Sequence, residues 1–565
     1  MSRLARSIET RKSRYDVIVV GSGYGGGVAA SRLSRAGKSV AVLERGREFL
    51  TGEFPSKFPE LRGEMQVRGG AVNVGRETAL YDVRVGKDMH VLVGCGLGGG
   101  SLVNAGVALR PDPRVFADGI WPGQLGQDGL LDEGFRRARA WLRPSHDPDA
   151  SRHTKFAALA KAGRVLGVEP VASPIVVSFE DGLNAAGIAQ PACTRCGDCC
   201  GGCNVGAKNT VALTYLPDAA RHGAHIFTEA KVQYLTRDPS GGWQVQIARL
   251  DGKRGAEPVT LSADMIVLAA GTLGSTEILL RSRERGLPLS DRLGERFSAN
   301  GDIIAFGYGA NVPVNAIGVG HPAKFQHDVP VGASVSGQIE IRDPDDLSQE
   351  LNIQEGAMPS ALAPVLPVMF MPNGRLLGAM QSLISGVYKG PFARMQTFFA
   401  VSHDTAAGRL LLNGDEISLS WPGAKDEPVY RRLDEMLSRL VAEIGGSYVK
   451  NPLAGTVMGH QPATAHPLGG CGMGAERDCG VVNHKGQVFD GRAGSGSTSV
   501  HAGLYVMDGS VIPRSLGVNP LLTITALSER CMIHMAQDYG LSFDDAAIPV
   551  TAPATPANPG ALVPA

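Results

Sequence analysis

The chain has 565 residues, more than one hydrophobic core usually serves, so we expect at least two domains. Lysine plus arginine equals aspartate plus glutamate at 55 each, which gives no basic surface of the kind that binds nucleic acid. We expect a cytoplasmic protein, because the N-terminal residues lack the apolar stretch of a signal peptide and no run of 18 apolar residues could span a membrane.

The first 45 residues predict one parallel crossover. The apolar run Tyr15–Val20 is typical of a short buried strand, Val28–Arg35 of a helix that stops at Gly37, and Ser39–Leu43 of a second strand. Such a unit spans about 30 residues, which is the length that a strand, helix and parallel strand need.

The turn inside this unit has the spacing G-x-G-x-x-G, from Gly21 to Gly26. Gly21 permits a tight turn, Gly23 lets a pyrophosphate approach the backbone, and Gly26 lets the helix pack closely on the strand. Glu44 follows the second strand, where its carboxylate can accept hydrogen bonds from ribose hydroxyls. A chance glycine turn is the alternative, but the flanking strands and Glu44 favour a dinucleotide site.

A second glycine-rich loop spans residues 94–106. A simple nicotinamide enzyme needs one phosphate loop, whereas an FAD enzyme must also lay backbone against the isoalloxazine ring, so two loops favour flavin. The alternative is a flexible surface loop, against which the apolar Leu102, Val103 and Val107 argue.

The rest of the chain predicts further elements and a tail. Apolar patterns and turn signals predict strands at Asp264–Ala269, around Gln233 and at Trp243–Leu250, a hairpin at Leu410–Trp421 centred on Asn413-Gly414, and helices at Ser275–Arg283, Glu427–Ile444 and Leu522–Met535. The alanine, proline and threonine residues from about Pro549 are typical of a disordered tail.

The stretch from Gly356 to Tyr388 contains a single charged residue, Arg375, and its prolines prevent a long helix. It can be a set of buried connections, or an apolar lid over a lipophilic substrate that also touches a membrane surface. The sequence alone leaves both interpretations open.

Two polar residues near the C-terminus each precede a proline. Pro467 holds His466 in an extended conformation, and Pro520 does the same for Asn519. Stiffly held polar side chains beside glycine-rich backbone indicate a site whose geometry must be fixed, although a lone histidine is more often structural.

With these residues the sequence resembles the glucose–methanol–choline (GMC) oxidoreductase family, and within it the cholesterol-oxidase-like branch. The resemblance is carried by GSGYGG at Gly21, GLGGGSLVNAG at Gly96, AAGTLGSTEILLRSRERG at Ala269, SANGDI at Ser298, HPLGGC at His466 and DGSVIPRSLGVNPLLTITALSER at Asp508. It covers most of the first 310 residues and the last hundred, whereas residues from about Asn311 to Val457 match poorly.

The resemblance implies an α/β fold, with a Rossmann-type FAD-binding domain on a parallel sheet and an α+β substrate domain on an antiparallel sheet. The FAD-binding domain would occupy residues 14–310, interrupted by substrate-domain segments at about 110–185, and residues 458–545. Residues 311–457 would form the substrate domain, and residues 546–565 would be a disordered tail.

The resemblance also implies cofactor contacts. Glu44 would hold the FAD ribose, Val232 would present its backbone to the adenine, and the loop 94–106 would run along the flavin. The complete set of implied FAD-binding residues is Gly21, Gly23, Tyr24, Gly25, Gly26, Glu44, Arg45, Gly94, Gly96, Gly99, Gly100, Ser101, Asn104, Ala105, Gly106, Val232, Gly271, Asp508, Gly509, Asn519 and Pro520.

The implied reaction is oxidation of an alcohol, expected to be a hydrophobic or sterol-like alcohol of steroid metabolism, by hydride transfer to flavin N5. His466 would accept the hydroxyl proton, and Asn519 would donate a hydrogen bond to the substrate oxygen. Three other functions stay open: an oxidase that uses oxygen, a lyase that retains FAD without redox turnover, and an electron-transfer subunit without a substrate pocket.

Steroid oxidases of this family that also isomerise the ring double bond use a glutamate base in the substrate domain. The best local match, Met358–Ala363, places Ala363 where that carboxylate would stand, with Glu355 close by. We therefore expect no isomerase activity, and the sequence does not single out cholesterol as the substrate.

Five of the nine cysteines lie between Cys193 and Cys203. Cys193, Cys196, Cys199 and Cys203 have the spacing of a bacterial ferredoxin run, with Cys200 as an alternative ligand. Because Asn204 replaces the usual proline and no second run exists, a 3Fe–4S or 4Fe–4S cluster, a zinc site and a surface loop with disulfides all remain open. Some dehydrogenases of the resembled family carry such a cluster, which would pass electrons from the flavin to an external acceptor.

Overall fold

The computed structural model describes residues 2–69, 72–252, 257–370, 380, 382, 386–450 and 461–548. Within these ranges the α-helices are α1 (Tyr24–Arg35), α2 (Phe58–Gly63), α3 (Arg114–Ala117), α4 (Gln124–Gln127), α5 (Leu130–Leu142), α6 (Thr154–Gly163), α7 (Tyr215–Arg221), α8 (Gly271–Glu284), α9 (Leu366–Phe370), α10 (Pro428–Glu443) and α11 (Leu521–Tyr539).

The strands of the same ranges are β1 (Arg14–Val20), β2 (Val40–Leu43), β3 (Met65–Gly69), β4 (Val72–Val74), β5 (Tyr81–Arg84), β6 (His90–Gly94), β7 (Val171–Ala172), β8 (Gly182–Leu183), β9 (Ala189–Gln190), β10 (His225–Phe227), β11 (Ala230–Arg237), β12 (Trp243–Arg249), β13 (Val259–Leu268), β14 (Ile303–Tyr308), β15 (Gly337–Ile341), β16 (Leu351–Gly356), β17 (Gln396–Val401), β18 (Arg409–Asn413), β19 (Glu416–Ser420), β20 (Ser447–Val449), β21 (Ala463–Thr464), β22 (Gln487–Phe489) and β23 (Val500–Val506).

The largest sheet has eight strands with a parallel centre, and it contains the predicted crossover. Strands β10, β2, β1 and β13 lie side by side and parallel, and β23 continues the parallel order beside the second half of β13. The first half of β13 pairs antiparallel with β12. Because β1 and β13 are parallel neighbours, their carboxyl ends bring Gly21 and Gly271 to the same edge of the sheet.

The predicted elements of this half are present, with shifted ends. Helix α1 begins at Tyr24, four residues before the predicted start, because the last glycines of the turn already have helical backbone. Strand β13 begins at Val259, since its first half extends beyond β1 to pair with β12. The second difference comes from a strand pairing that the local pattern does not contain.

The hairpin β18–β19 is confirmed, but its turn is one residue later than predicted. Asn413 pairs with Glu416, so the two turn residues are Gly414 and Asp415. Gly414 has φ 62°, which is the positive value that the first position of such a turn requires.

The second sheet has six antiparallel strands in the order β20-β14-β17-β16-β15-β7. One face packs against α6 and α10, where Ile353, Phe398 and Ala400 share a buried core with Leu433. Residues at the alternate positions of each strand face the other way. The first sheet with its helices and this second sheet together confirm the predicted fold class.

A third sheet, β21-β6-β5-β3-β4, supports the second glycine loop, because β6 ends at Gly94. Within the predicted insertion at 110–185, β7 joins the six-stranded sheet and α6 contacts it, whereas α5 packs against α11. The domain bounds stay a prediction.

The C-terminal tail and the apolar stretch lie partly outside the described residues. Of the predicted tail, the amide of Ile548 donates to the carbonyl of Ala185 at 2.9 Å, and residues 549–565 are outside the description. In the apolar stretch, Ser360–Val365 form a 3₁₀-helix that leads into α9, and residues 371–379, 381 and 383–385 are outside. Every helix in the described part is too short or too polar to cross a membrane.

Candidate active site

Three glycines of the turn after β1 are enclosed by backbone. A Cβ on Gly25 would lie 1.5 Å from the carbonyl oxygen of Met507, and a Cβ on Gly26 would lie 2.1 Å from that of Gly21. Gly21 has φ 92°, in the region that favours glycine. These positions are glycine because β1, α1 and the segment after β23 meet there.

Three other glycines at this edge face open space. A Cβ on Gly23, Gly100 or Gly271 would meet no protein atom within 4 Å. A Cβ on Gly99 would lie 2.9 Å from Cα of Gly23, so the two glycine loops are in contact. Gly23 is the N-cap of α1 and provides no side-chain hydrogen bond to its first amides. The edge therefore has both room and N–H groups for a phosphate-bearing ligand.

The carboxylate of Glu44 lies beside the turn, as the motif predicts. It accepts hydrogen bonds from N and Oγ of Ser22 at 3.2 and 2.6 Å, and from the amide of Gly46 at 2.7 Å. Burial raises the pKa of this carboxyl group. A carboxylate has roughly four acceptor directions, so the geometry leaves room for one more donor, such as a ribose hydroxyl. The Arg45 guanidinium turns instead to Asp82, at 2.7 Å.

Asn104 is the polar side chain of the second loop that keeps a spare acceptor. Its Nδ2 donates to the hydroxyl of Tyr24 at 2.7 Å, while its Oδ1 is buried without a hydrogen-bond partner in the described structure. Burial raises the pKa of the Tyr24 phenol. Ser101 is used within the protein, because its Oγ donates to the carbonyl of Gly98 at 2.6 Å and accepts the amide of Val211 at 3.0 Å.

The other predicted FAD-binding residues of this region lie in the loop 94–106, except Val232, which lies in β11. Gly94 is the last residue of β6, Ala105 is half-buried, and Gly96 and Gly106 have φ values of 155° and 81°. Val232 is buried in β11, next to a bulge in the pairing of β11 with β12. The adenine contact of Val232 stays a prediction.

Asp508 fixes the start of α8. Its carboxylate accepts hydrogen bonds from the amide of Gly271 at 2.9 Å, Oγ of Ser275 at 2.5 Å, and N and Oγ of Ser510 at 2.8 and 2.5 Å. Burial raises the pKa of this carboxyl group. Gly509 begins a short 3₁₀-helix after it. The acceptor capacity of Asp508 is thus spent within the protein, where it orients the backbone that lines the site.

His466 lies in the loop after β21, and Asp302 holds that loop. Asp302 accepts the amide of Ala465 at 2.7 Å, and its Oδ2 lies 3.3 Å from Nδ1 of His466. Oγ1 of Thr272 donates a hydrogen bond to the carbonyl of Pro467 at 2.7 Å. This contact places the loop against the start of α8. Nδ1 of His466 is the ring nitrogen on the side of the Asp302 carboxylate, and Nε2 is the nitrogen on the other side of the ring.

Asn519 lies in the loop before α11, and Pro520 is the N-cap of that helix. Asn300 holds the loop, because its Nδ2 donates to the carbonyl of Val518 at 2.8 Å and its Oδ1 accepts the amide of Leu516 at 2.7 Å. Asn519 is 7% exposed, so its amide is almost enclosed by protein.

Sequence reasoning missed three residues that shape this pair. Asn300 and Asp302 stand in the SANGDI block before β14, and between them they hold both catalytic candidates. The signal available was the Asn300-Gly301 pair, whose φ values of 57° and 55° are typical of a forced turn. Gln354 on β16 was also missed, although the alternation of apolar and polar residues there predicts a strand with an amide face.

Four thiols of the cysteine run lie near enough to one another for their charges to interact. Burial raises the pKa of the Cys193 thiol. Negative charge on Cys199, Cys196 or Cys203 raises it further. No three of the sulfur atoms in the described chain lie within 4.8 Å of one another. Burial, and to a smaller extent charge on Cys199, raises the pKa of the Cys200 thiol to about 11. The thiols that are grouped are those whose spacing matches a ferredoxin run: Cys193, Cys196, Cys199 and Cys203.

Backbone amides point at two of these sulfurs. The amide of Arg195 donates to Sγ of Cys193 at 3.3 Å, and the amide of Ser334 donates to Sγ of Cys199 at 3.4 Å. The Arg195 guanidinium binds the buried Asp147 at 2.9 Å, which anchors the loop. Hydrogen bonds of this kind stabilise negative charge on sulfur.

Lys208 joins the cysteine run to the second glycine loop. Its buried ammonium group donates to the carbonyls of Leu102 and Asn104 at 2.9 Å each, and to that of Cys199 at 2.8 Å. Burial lowers the pKa of Lys208. One side chain therefore links the cysteine run to the loop 94–106. That loop contributes Gly100 to the sheet edge that is lined by Gly23, Gly100 and Gly271 and is called the glycine-lined edge below.

A second group of potential metal ligands, Asp128, His484 and His534, is occupied by an arginine. The Arg530 guanidinium lies 3.0 Å from Nδ1 of His484 and also binds Asp128. A metal ion would have to displace this cation, so the group serves as an anchor for α11.

The parallel sheet, the glycine turn after β1 and the open glycines at the sheet edge define a dinucleotide-binding α/β protein. The family model described as GMC oxidoreductase matches residues 15–299 with its N-terminal part and residues 447–528 with its C-terminal part. The chain belongs to the GMC oxidoreductase family and is an enzyme of that family, as the sequence blocks indicate.

The chain is similar to named relatives over most of its length. It is 28% identical to a cholesterol oxidase of Mycobacterium tuberculosis, over 92% of this chain and 90% of the relative, and 27% identical to one of Acinetobacter baumannii, over 93% and 95%. A long-chain-alcohol oxidase of Arabidopsis thaliana is 23% identical over 90% of this chain and 66% of its own length. Among solved structures, pyridoxine 4-oxidase from Mesorbium loti has the same fold, with a TM-score of 0.60 and 18% identity over 92% of this chain and 99% of that one.

Proposed function

We propose that the chain binds FAD and oxidises the CH–OH group of a hydrophobic alcohol to a carbonyl. The observation that carries the proposal is that one segment, Asn300–Asp302, holds the loops of both His466 and Asn519. The His466 loop also touches the start of α8 at the glycine-lined edge. Family membership supports the same chemistry, because relatives are named for the oxidation of sterols and long-chain alcohols.

The glycine-lined edge fits FAD. The open sides of Gly23, Gly100 and Gly271 admit a ligand, and the spare acceptor of Asn104 suits an N–H donor. In this proposal Glu44 holds a ribose and the loop 94–106 runs along the flavin. When bound, FAD supplies the hydride acceptor, at N5 of its isoalloxazine ring.

His466 and Asn519 act on the substrate hydroxyl. The alcohol loses a hydride from its carbon and a proton from its oxygen, so the protein must accept that proton as charge develops. Nε2 of His466 accepts it, because Asp302 lies on the side of Nδ1. Nδ2 of Asn519 donates to the substrate oxygen and holds it in place.

A hydrophobic substrate suits the apolar residues on the substrate side. Phe306, Phe370 and Phe392 pack together in one buried cluster. The ring centroid of Phe370 lies 5.4 Å from that of Phe306 and 5.4 Å from that of Phe392. Val368 and Met380 in the apolar stretch are 56% and 50% exposed, which would allow contact with a lipid surface that holds the substrate.

Ring isomerisation is not part of the proposal. Ala363 is buried in the apolar cluster and offers no base. Glu355 lies on the face of β16 opposite to Gln354, and its carboxylate binds Lys155 at 2.5 Å and two backbone amides at 2.8 Å. The carboxylate of Glu355 therefore accepts its hydrogen bonds on the face of the sheet that points away from Asn519.

We further propose that the cysteine group holds an iron–sulfur cluster. A single zinc ion with bonds of about 2.3 Å needs sulfurs roughly 3.8 Å apart, whereas no three sulfurs here lie within 4.8 Å of one another among the described residues. The amide-to-sulfur hydrogen bonds at Cys193 and Cys199 suit a cluster, because they stabilise negative charge on its ligands. When bound, such a cluster supplies one-electron transfer from the reduced flavin to an external carrier, which would make the enzyme a dehydrogenase.

An oxygen-using oxidase without a cluster is the second candidate function. The relatives described above favour it, because the two cholesterol oxidases and the long-chain-alcohol oxidase are named as oxidases. The two candidates share the alcohol half-reaction and differ in where the two electrons go.

An anaerobic titration tests the proposal. Purified protein with FAD is mixed with a panel of sterol, long-chain and sugar alcohols while the visible spectrum is recorded. We expect bleaching of the flavin band with hydrophobic alcohols, and broad residual absorbance with labile iron and sulfide from the cluster. A flavin that no alcohol reduces would support a lyase-type role and overturn the proposal.

Gly23→Ala and Gly25→Ala separate the cofactor site from the fold. The Cβ of Gly23→Ala meets no protein atom, so we expect normal stability of the FAD-free protein and FAD binding that is about tenfold to hundredfold weaker, for an intrusion costing ~1–3 kcal/mol. Gly25→Ala collides with the Met507 carbonyl, so we expect it to lower the free energy of unfolding by about 3 kcal/mol. Urea unfolding and flavin fluorescence measure both. FAD binding by Gly23→Ala equal to wild type would contradict the site.

A further inference from the structure

A row of amides lines the inner face of the substrate sheet. Asn352 and Gln354 stand two residues apart on β16, so both side chains leave the same face of the strand. Strand β16 lies between β15 and β17, and Gln354 is only 1% exposed. The amide of Gln354 is therefore fixed in position by packing.

Gln354 is the side-chain hydrogen-bond partner of Asn519. Nε2 of Gln354 donates to Oδ1 of Asn519 at 2.5 Å and to Oδ1 of Asn352 at 2.7 Å, so both of its protons are used. In return, Nδ2 of Asn519 lies 3.4 Å from Oε1 of Gln354, at the limit of a hydrogen bond. The oxygen of Asn519 is thus occupied, and its N–H group is the end left for a ligand.

The backbone of Asn519 is held by other means. Asn300 binds the residues on its N-terminal side, and Pro520 caps α11 on the other. The side-chain hydrogen bonds of Asn519 in the described structure both go to Gln354. Loss of Gln354 would leave the loop in place but free the amide to rotate.

We propose that Gln354 is a positioning residue that keeps Asn519 a hydrogen-bond donor toward the carbinol oxygen. The inference rests on the proposed function, since it needs Asn519 to act on a substrate hydroxyl. An amide turned by 180° would present its carbonyl oxygen to the substrate oxygen, where lone pairs repel. The substrate sheet, through Gln354, then sets the catalytic geometry of a residue in the cofactor half.

The test uses a double-mutant cycle read by anaerobic flavin reduction in the FAD-loaded full chain. We expect Gln354→Met to lower the limiting reduction rate tenfold to a hundredfold with little change in the half-saturating alcohol concentration. In an Asn519→Ala background the same change should have no further effect, because the residue through which it acts is gone. Gln338→Met is the matched control: Gln338 is buried, pairs with Gln354 across β15 and β16, and binds Ser173 instead.

Gln354→Glu adds a pH readout, which also serves if the methionine variant does not fold. A protonated carboxyl group still donates to Asn519, whereas a carboxylate only accepts and turns the amide. The reduction rate relative to wild type should therefore fall as pH rises. Equal slowing by Gln354→Met with and without Asn519, or wild-type rates in both Gln354 variants, would overturn the inference. Failure of the proposed function would look different: wild-type flavin would not be reduced by any alcohol.

Discussion

His466→Ala should slow alcohol-dependent flavin reduction by about 10²–10⁴-fold, because the hydroxyl proton then has no positioned base. Asn519→Ala should slow it by about 10²–10³-fold, the usual effect of removing a donor to a reacting oxygen. The single-turnover rate in an anaerobic stopped-flow instrument is the appropriate measurement, since it excludes reoxidation. Both variants should still bind FAD, because the polar partners of the two side chains in the described structure, Asp302 for His466 and Gln354 for Asn519, lie outside the glycine-lined edge.

His146→Ala is the matched control for the histidine variant, since His146 is exposed on the surface. It should reduce its flavin at the wild-type rate. The double variant His466→Ala/Asn519→Ala should be slower than either single variant by less than the product of their effects, because both act on one hydroxyl group. Reduction near the wild-type rate in both single variants would refute the assignment of the pair.

The cofactor half could be predicted well because its signals are local. A strand, a glycine turn and a helix lie within one short segment, and the collisions of added Cβ atoms at Gly25 and Gly26 explain why the motif is glycine. The predicted ends of the strands and helices were less accurate, because an element ends where its pairing with neighbouring elements ends. Strand β13 is longer than predicted because β12 pairs with its first half. The turn of the hairpin β18–β19 was misplaced because Asn413-Gly414 also reads as a turn pair.

The supporting contacts of the site could not be predicted, because they join distant parts of the chain. Asp302 and His466 are 164 positions apart, and Gln354 and Asn519 are 165 apart. No periodic pattern encodes such a pair. Lys208 is close to the cysteine run in sequence. Its position beside the site, however, is determined by hydrogen bonds to the distant carbonyls of Leu102 and Asn104, which the sequence does not reveal.

Cys199→Ala should remove the iron and labile sulfide of the anaerobically purified or reconstituted protein. Cys199 is the most enclosed thiol of the group, and it accepts the Ser334 amide. We expect flavin reduction by alcohol to proceed as in wild type, because the Cys199 thiol is not among the groups that act on the hydroxyl. Electron delivery to an external one-electron dye should slow by at least a hundredfold. Metal analysis, visible spectra and dye reduction give the three readouts.

Cys200→Ala is the control that makes this result specific. Cys200 is the next residue and is half-buried, and its spacing does not fit the ferredoxin run that the other four cysteines form. It should keep iron, sulfide and dye reduction. One zinc ion per chain without sulfide, or no metal in the wild-type protein, would contradict the cluster and leave the oxygen-using oxidase as the function. The alcohol half-reaction would survive either result, because the His466 and Asn519 loops are held by Asp302 and Asn300 and not by the cysteines.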